Sequence, residues 1–167
     1  MSMRYFITRA RIEHIEHIMR FEKKNKPFFS RFLPAQTLNR ISYVYLIKQL
    51  SRVDNESHFL IVGKSNVVIG RVILTFLSID KTTAELSYRL DSDFVGQGIT
   101  TNVIKYLLPF WVCAGLSEIT ACVCDSNLAS KRVLEKSGFK VIERITAGSN
   151  INKYVEDVCI YFWRANE

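Results

Sequence analysis

Two glycines one residue apart, in Val95-Gly96-Gln97-Gly98-Ile99-Thr100-Thr101, are the residues of this chain best suited to holding a ligand. A strand-like run precedes them and an apolar helical run follows. Backbone N–H groups in the first turn of a helix have no acceptor inside it, and the helix dipole adds partial positive charge at the same spot. Glycines there let a phosphate approach the backbone and permit unusual φ. The chemistry expected of the loop is therefore phosphate binding. Two familiar versions do not fit. A dinucleotide loop needs a third glycine and a parallel unit, whereas an antiparallel meander comes first here. A Walker loop needs Gly-Lys-Ser/Thr, and Gly98 is followed by Ile99-Thr100.

Other reactive residue types form weaker patterns. Cys113, Cys122, Cys124 and Cys159 have no regular spacing, and a chain of 167 residues needs no disulfide framework. Cys122 and Cys124 would share one face of a strand. Two thiolates are half a zinc site, and nothing at suitable spacing completes it. The four are expected to be buried structural thiols. His14 and His17, three apart on an expected helix, lack a third ligand and read as a partly exposed pair. No metal site is expected.

Composition narrows the setting. Hydrophobic residues make up 48% and charged residues 23%, which describes a globular chain with a real core. No stretch approaches the roughly 20 apolar residues of a membrane helix, and the start lacks a signal-peptide pattern. A cytoplasmic protein without membrane contact is expected. Net charge is +7, which favours an acidic partner. Lys23, Lys24, Lys26, Arg31 and Arg40 flank Phe28, Phe29 and Phe32. Such a cluster can bind nucleic acid. The preferred reading is a solvated loop whose aromatics fold onto the core, with an acidic peptide partner left open.

The elements that must position these residues follow in order. Tyr5–Thr8 reads as a strand. Ile12, Ile15, Ile18 and Met19 mark a helix to about Phe21, and Pro27 breaks the segment. Pro34 opens a second helix to about Leu50. Phe59–Val62, Val67–Ser78 and Thr83–Leu90 form an antiparallel meander. A helix from Thr101 to Ala114 is apolar on most sides, hence buried, with Pro109 expected to kink or shorten it. Glu118–Cys124 is a strand, and Asp125 or Ser126 would cap a helix from Asn127 to Lys136. Phe139–Ile145 and Tyr154–Trp163 close the chain as strands joined by a loop at Ala147-Gly148-Ser149-Asn150. No repeat or linker appears, so residues 1–167 are expected to form one domain.

Glu85-Leu86-Ser87-Tyr88-Arg89-Leu90, the glycine loop and Asn127-Leu128-Ala129-Ser130-Lys131-Arg132-Val133-Leu134-Glu135-Lys136-Ser137-Gly138-Phe139 occur in that order. In this the chain resembles the GNAT superfamily of N-acetyltransferases, and within it the RimJ/RimL type, which acetylates N-terminal amines of ribosomal proteins. The resemblance runs through most of the chain in element order, and its specific motifs cover about residues 85 to 139. It implies an α/β (α+β) GNAT fold: a mixed, mostly antiparallel sheet of about six to seven strands with about four helices. The strand before the glycine loop and the next strand would splay apart. Acetyl-CoA would be the cosubstrate, without a metal. Its diphosphate would rest on backbone N–H groups of Gln97, Gly98, Ile99, Thr100 and Thr101. Pantetheine would lie along Tyr88, Arg89 and Leu90 and against Asn127. Three positions depart from the common pattern. Val95 replaces Gln or Arg. Thr100 replaces Gly or Ala and would crowd the diphosphate. Leu134 replaces a Tyr that protonates the leaving thiolate, as is frequent in the RimJ/RimL type.

Acetyl transfer needs a neutral amine, hence a base. Glu85 matches the Glu of the family's Glu-x-x-Tyr pattern and is the first candidate. The alternative is an exposed strand residue or an ion pair with Arg89, which would share its face. Glu118 is a weaker candidate. Ser130 is the candidate acid, against a mere capping contact. A backbone N–H near Tyr88 would meet the oxyanion. Asp157 is read as structural. The acceptor is expected to be a primary amine, the N-terminal α-amine of an acidic protein or peptide, held by loops around Lys23–Pro34 and Ala147–Tyr154. A small-molecule amine or a non-catalytic acyl-CoA-binding domain are the alternatives, a nucleic acid is the least favoured partner, and monomer and homodimer both stay open.

Overall fold

The structure, a computed structural model, describes residues 4–51, 55–151 and 154–165. The reading of the chain start on Met1-Ser2-Met3 lies outside them. Seven strands form one sheet in the order β1-β2-β3-β4-β5-β7-β6. They are β1 (Phe6–Arg9), β2 (Glu56–Val62), β3 (Val68–Phe76), β4 (Thr83–Leu90), β5 (Glu118–Cys124), β6 (Lys140–Ile151) and β7 (Tyr154–Arg164). Every neighbouring pair is antiparallel except β4 with β5. The meander β2–β3–β4 stands where alternation and turn residues placed it.

Five α-helices cover the sheet among the described residues: α1 (Ile15–Phe29), α2 (Ala35–Asn39), α3 (Tyr43–Ser51), α4 (Ile99–Cys113) and α5 (Leu128–Lys136). Strand alternation divides the apolar side chains between two cores. On one face, Val72, Leu74, Leu86, Ile119 and Tyr161 pack with Val103, Leu107 and Trp111 of α4 and with Leu134 of α5. On the other, Leu60, Val62 and Val68 meet Ile15, Ile18, Phe21 and Phe29 of α1 and Leu46 of α3.

Three expected elements differ. The second helix is divided in two, because the Ser42 hydroxyl accepts the Tyr45 N–H at 3.2 Å and starts a new helix there. Pro27 does not break its helix: it lies inside α1 on an exposed face, where the carbonyl it leaves unbonded can meet water, and Pro109 lies inside α4, as expected, also on an exposed face. The expected loop at Ala147–Asn150 is part of β6. Its irregularity is a register shift between Ile145 and Ser149, with Ala147 at φ 57°.

The cysteines also differ from expectation. Only Cys159 is buried; Cys124 is half-buried, and Cys113 and Cys122 are exposed. Alternation along β5 turns Cys122 and Cys124 away from the α4 core. His14 and His17 do not share one helix. His14 sits in a 3-10 turn, where its Nδ1 accepts the Arg11 N–H at 3.0 Å.

Polar contacts fix α1 to the far end of β4. Glu22, only 6% exposed, takes Arg71 on one carboxylate oxygen and Arg89 on the other, the latter at 2.6 Å. Burial pulls the Arg71 guanidinium below its ordinary pKa, and the Glu22 charge works against that shift. The Asn25 amide oxygen accepts the Ser92 N–H at 3.0 Å. Lys24 pairs with Asp91 and Asp93, both at 2.7 Å. Glu22→Gln leaves two guanidinium groups facing each other without a counter-charge. We expect urea unfolding to show a loss of about 3–5 kcal/mol, the magnitude for breaking a buried pair. A loss under about 1 kcal/mol, the value typical of exposed pairs, contradicts this account.

Candidate active site

β4 and β5 pair over only three residues, Thr83–Glu85 against Glu118–Thr120. From Leu86 onward β4 stays on β3, and β5 continues on β7 along all seven of its residues. The strands therefore part in the middle of the sheet. The β4 backbone from Leu86 to Leu90, which includes Tyr88 and Arg89, has a strand partner on one edge only.

On the α4 side of this gap stands the glycine loop. Gly96 and Gly98 have φ of 82° and 75°, and nothing lies within 4 Å of a Cβ built on either. Backbone conformation, not space, demands glycine at both positions. Gly98 is the N-cap of α4 and supplies no side-chain cap. The first helical hydrogen bond runs from Asn102 N–H to Gly98 C=O at 3.0 Å. Hence the N–H groups of Gln97, Gly98, Ile99, Thr100 and Thr101 donate to no described residue. This is the donor set that phosphate oxygens require. The Gln97 side chain turns back to the Asp93 carbonyl at 3.2 Å. Thr100 is 5% exposed with its side chain turned inward, so it does not crowd the loop.

Across the gap is the start of α5. Asn127, rather than Asp125 or Ser126, is its N-cap: the amide oxygen accepts the Ser130 N–H at 3.1 Å. Its amide nitrogen donates to no described residue. The Tyr88 hydroxyl lies 2.6 Å from Ser130 Oγ and 3.0 Å from the Ser130 carbonyl oxygen. This contact ties β4 to α5 where the strands no longer meet. Burial raises the Tyr88 phenol well above its ordinary range, so it stays protonated, and the hydrogen bond from Ser130 only partly offsets this. Leu134 is fully buried in the core.

The opposite face carries a row of acidic and thiol side chains. Glu85 is exposed and close enough to Cys122 to help raise its thiol pKa, after burial as the larger cause. Cys124 donates to the Phe32 carbonyl at 3.5 Å and is pushed up to about 11 by burial and then by the charge of Glu156. Glu156 Oε2 is buried and has no partner among the described residues. The sequence reading passed over Glu156. The signal was there: alternation along β7 puts it on the face of Val158, whose register partner is Cys124. Arg89 pairs with Glu22 and lies 5.7 Å over Phe29, and so is not the partner of Glu85. Glu118 pairs with Arg164 at 2.7 Å.

The basic cluster borders this face, but α1 extends through Phe29, so only residues 30–34 are loop. Arg31 lies 6.0 Å over Phe28 and 5.4 Å over Phe32. At the other border Asp157 accepts the Ala147 N–H at 3.1 Å and so orients the β6 irregularity. Residues 152–153 of the expected acceptor loop lie outside the described residues. Among the described residues no group of three or more His, Cys, Asp or Glu could hold a metal ion, and no helix is long and apolar enough to cross a membrane.

Gly98→Ala places a side chain at φ 75°. Left-handed backbone costs about 1–2 kcal/mol for a residue with a Cβ, and the urea midpoint should fall accordingly. An unchanged midpoint contradicts this N-cap geometry.

Comparisons with known proteins agree with the geometry. The model of the GNAT acetyltransferase domain matches residues 4–140. A probable N-acetyltransferase of Bacillus subtilis (strain 168), YjcK, is 27% identical over 147 residues, spanning 80% of this chain and 79% of its own. Ribosomal-protein-S5-alanine acetyltransferase from Vibrio fischeri superposes with a TM-score of 0.87 at 19% identity, over 98% of this chain and 94% of that one. The ribosomal L7/L12 α-N-protein acetyltransferase RimL, solved with coenzyme A, superposes with a TM-score of 0.85 at 19% identity, over 97% and 94%. The parted strands and the open glycine loop are thus those of a known enzyme fold, and the chain belongs to the GNAT family of acetyltransferases.

Proposed function

We propose that this chain transfers an acetyl group from acetyl-CoA to a primary amine, the N-terminal α-amine of a protein such as a ribosomal protein. The observation that carries this reading is the gap between β4 and β5, with unpaired phosphate-type donors on one face and a buried Glu156 oxygen without a hydrogen-bond partner among the described residues on the other. Gln97–Thr101 would hold the diphosphate through backbone N–H groups, and Asn127 and the open edge at Tyr88–Leu90 the pantetheine. Bound there, acetyl-CoA supplies an acyl thioester.

The protein's own groups then divide the proton work. An amine arrives as an ammonium ion and must lose a proton. Glu85 and Glu156 flank the acceptor face, and the unpartnered oxygen of Glu156 is the better shielded acceptor. Ser130 Oγ serves as the acid, oriented by the Tyr88 hydroxyl 2.6 Å away, and, being half-buried, regains its proton from water. Cys122 and Cys124 stay protonated at neutral pH because both thiols are raised. A thiol is a nucleophile only as thiolate, so the amine attacks directly and no cysteinyl intermediate forms. A protein acceptor is supported by the exposed rim of Lys23, Arg31 and Arg40, and by the ribosomal substrates named for two structurally similar enzymes. Arg31, splayed over two rings, suits an acidic residue near the acceptor's first positions.

A peptide library and a panel of small amines, each incubated with acetyl-CoA and read by mass spectrometry, test the reading. Acetylated peptide N-termini are expected. Turnover of small amines alone contradicts the acceptor assignment, and acetyl-CoA binding without any turnover contradicts the enzyme. Glu156→Gln should lower kcat by about 10²–10⁴, the usual range for a general base, with the alkaline limb of the pH profile closest to wild type. Ser130→Ala should lower kcat with little change in KM. Wild-type kcat in both variants would contradict these roles.

A further inference from the structure

The charges under α1 do not balance. Glu22 carries one negative charge and meets two guanidinium groups, Arg71 and Arg89. No other acid among the described residues pairs with either arginine. Each guanidinium has five N–H donors, and Glu22 accepts one from each. Arg71 is 3% exposed, and its Nε is buried without an acceptor. A buried charge without a counter-charge is strongly destabilising, so the cluster is short of one anion. Arg71 is closed off. Arg89 is the member that reaches solvent, with 16% of its side chain exposed. Its guanidinium lies 5.7 Å over Phe29, the last residue of α1. Alternation along β4 puts the Arg89 side chain on the face of Glu85 and Ser87, both exposed. The loop after Phe29 is held against β5 where Cys124 donates to the Phe32 carbonyl at 3.5 Å. Arg89 therefore stands at the α1-side mouth of the gap, while its neighbour Tyr88 reaches Ser130 on the other side.

We propose that Arg89 is a specificity-determining residue of the acceptor cleft, and that it binds the side-chain carboxylate of an acidic residue among the first four of the acceptor polypeptide. This rests on the transfer to a polypeptide N-terminus proposed above. The carboxylate supplies the missing negative charge, and the planar guanidinium can offer it two parallel N–H donors. A cationic acceptor adds a third positive charge beside Glu22 and is disfavoured. Reach sets the position. Arg89 adjoins Tyr88, where the strands have parted, and an extended acceptor advances about 3.3 Å per residue. Its first four residues thus span about 10 Å from the reacting amine.

Short peptide amides with a single Asp at position 2, 3 or 4 of a Ser-Ala background, each paired with its Asn counterpart, test this. Binding to the CoA-saturated protein is read by fluorescence anisotropy, and acetylation with acetyl-CoA by mass spectrometry. At one or more of these positions Asp should bind about tenfold or more tighter than Asn, the effect of one charge-assisted hydrogen bond. In Arg89→Gln that ratio should fall to about one. The ratio compares two peptides on one protein, so a structural loss common to both cancels. Arg89→Lys keeps a positive charge beside Glu22 but lacks the planar fork; it serves where the Gln variant does not fold, and should lower the ratio several-fold. Equal affinity for Asp and Asn at all three positions overturns the proposal, and so does an Asp preference unchanged in the substituted protein. Asp preference without acetylation supports the carboxylate site and overturns the transfer; acetylation without Asp preference does the reverse.

Discussion

The parting of β4 from β5 after Glu85 is the constraint on which the rest of the site depends. A backbone group inside a sheet stays unpaired only where something else will meet it, because an orphan buried donor or acceptor costs about 1–3 kcal/mol. β4 satisfies one edge against β3 over its whole length. Its other edge opens at Leu86. Three features hold it open. β7 occupies the far edge of β5, so β5 does not swing toward β4. Arg89 is gripped by Glu22 of α1, which fixes the far end of β4. Tyr88 meets Ser130 across the gap and sets the position of α5.

This arrangement also separates two kinds of chemistry. One face offers backbone N–H groups and helix starts, an environment for phosphate and amide. The other offers carboxylates and protonated thiols, the side on which the proposed acceptor amine would lose its proton. The gap between the strands is the passage between them. Alternation along β4 assigns each residue to its side: Tyr88 turns to the α4 core, while Glu85 and Arg89 turn to α1. A register shift of one residue would exchange these faces and remove the site.

What could be read in advance was local. Glycine spacing, strand alternation and the turn at Asp80-Lys81 placed the meander and the loop, because each signal lies within a few residues of what it determines. Asn127 as the cap was missed because Asp125, Ser126 and Asn127 are three consecutive residues that can all cap, and only the fold selects among them. The inward turn of Thr100 and the continuity of α1 through Pro27 depend on which helix face meets the sheet. Glu22, Arg71 and Arg89 are far apart in the chain and carry no periodic signal as a group. Glu156 was legible only in part: alternation along β7 sets its face, but its significance comes from Cys124, a residue on another strand.

Amide hydrogen exchange with and without acetyl-CoA tests the central claim most directly, because that claim concerns particular unpaired N–H groups. The account predicts that acetyl-CoA protects Gln97–Thr101 and the Leu86–Leu90 segment, with little change in β1 and β2. Protection absent from Gln97–Thr101, or appearing only elsewhere, would contradict it.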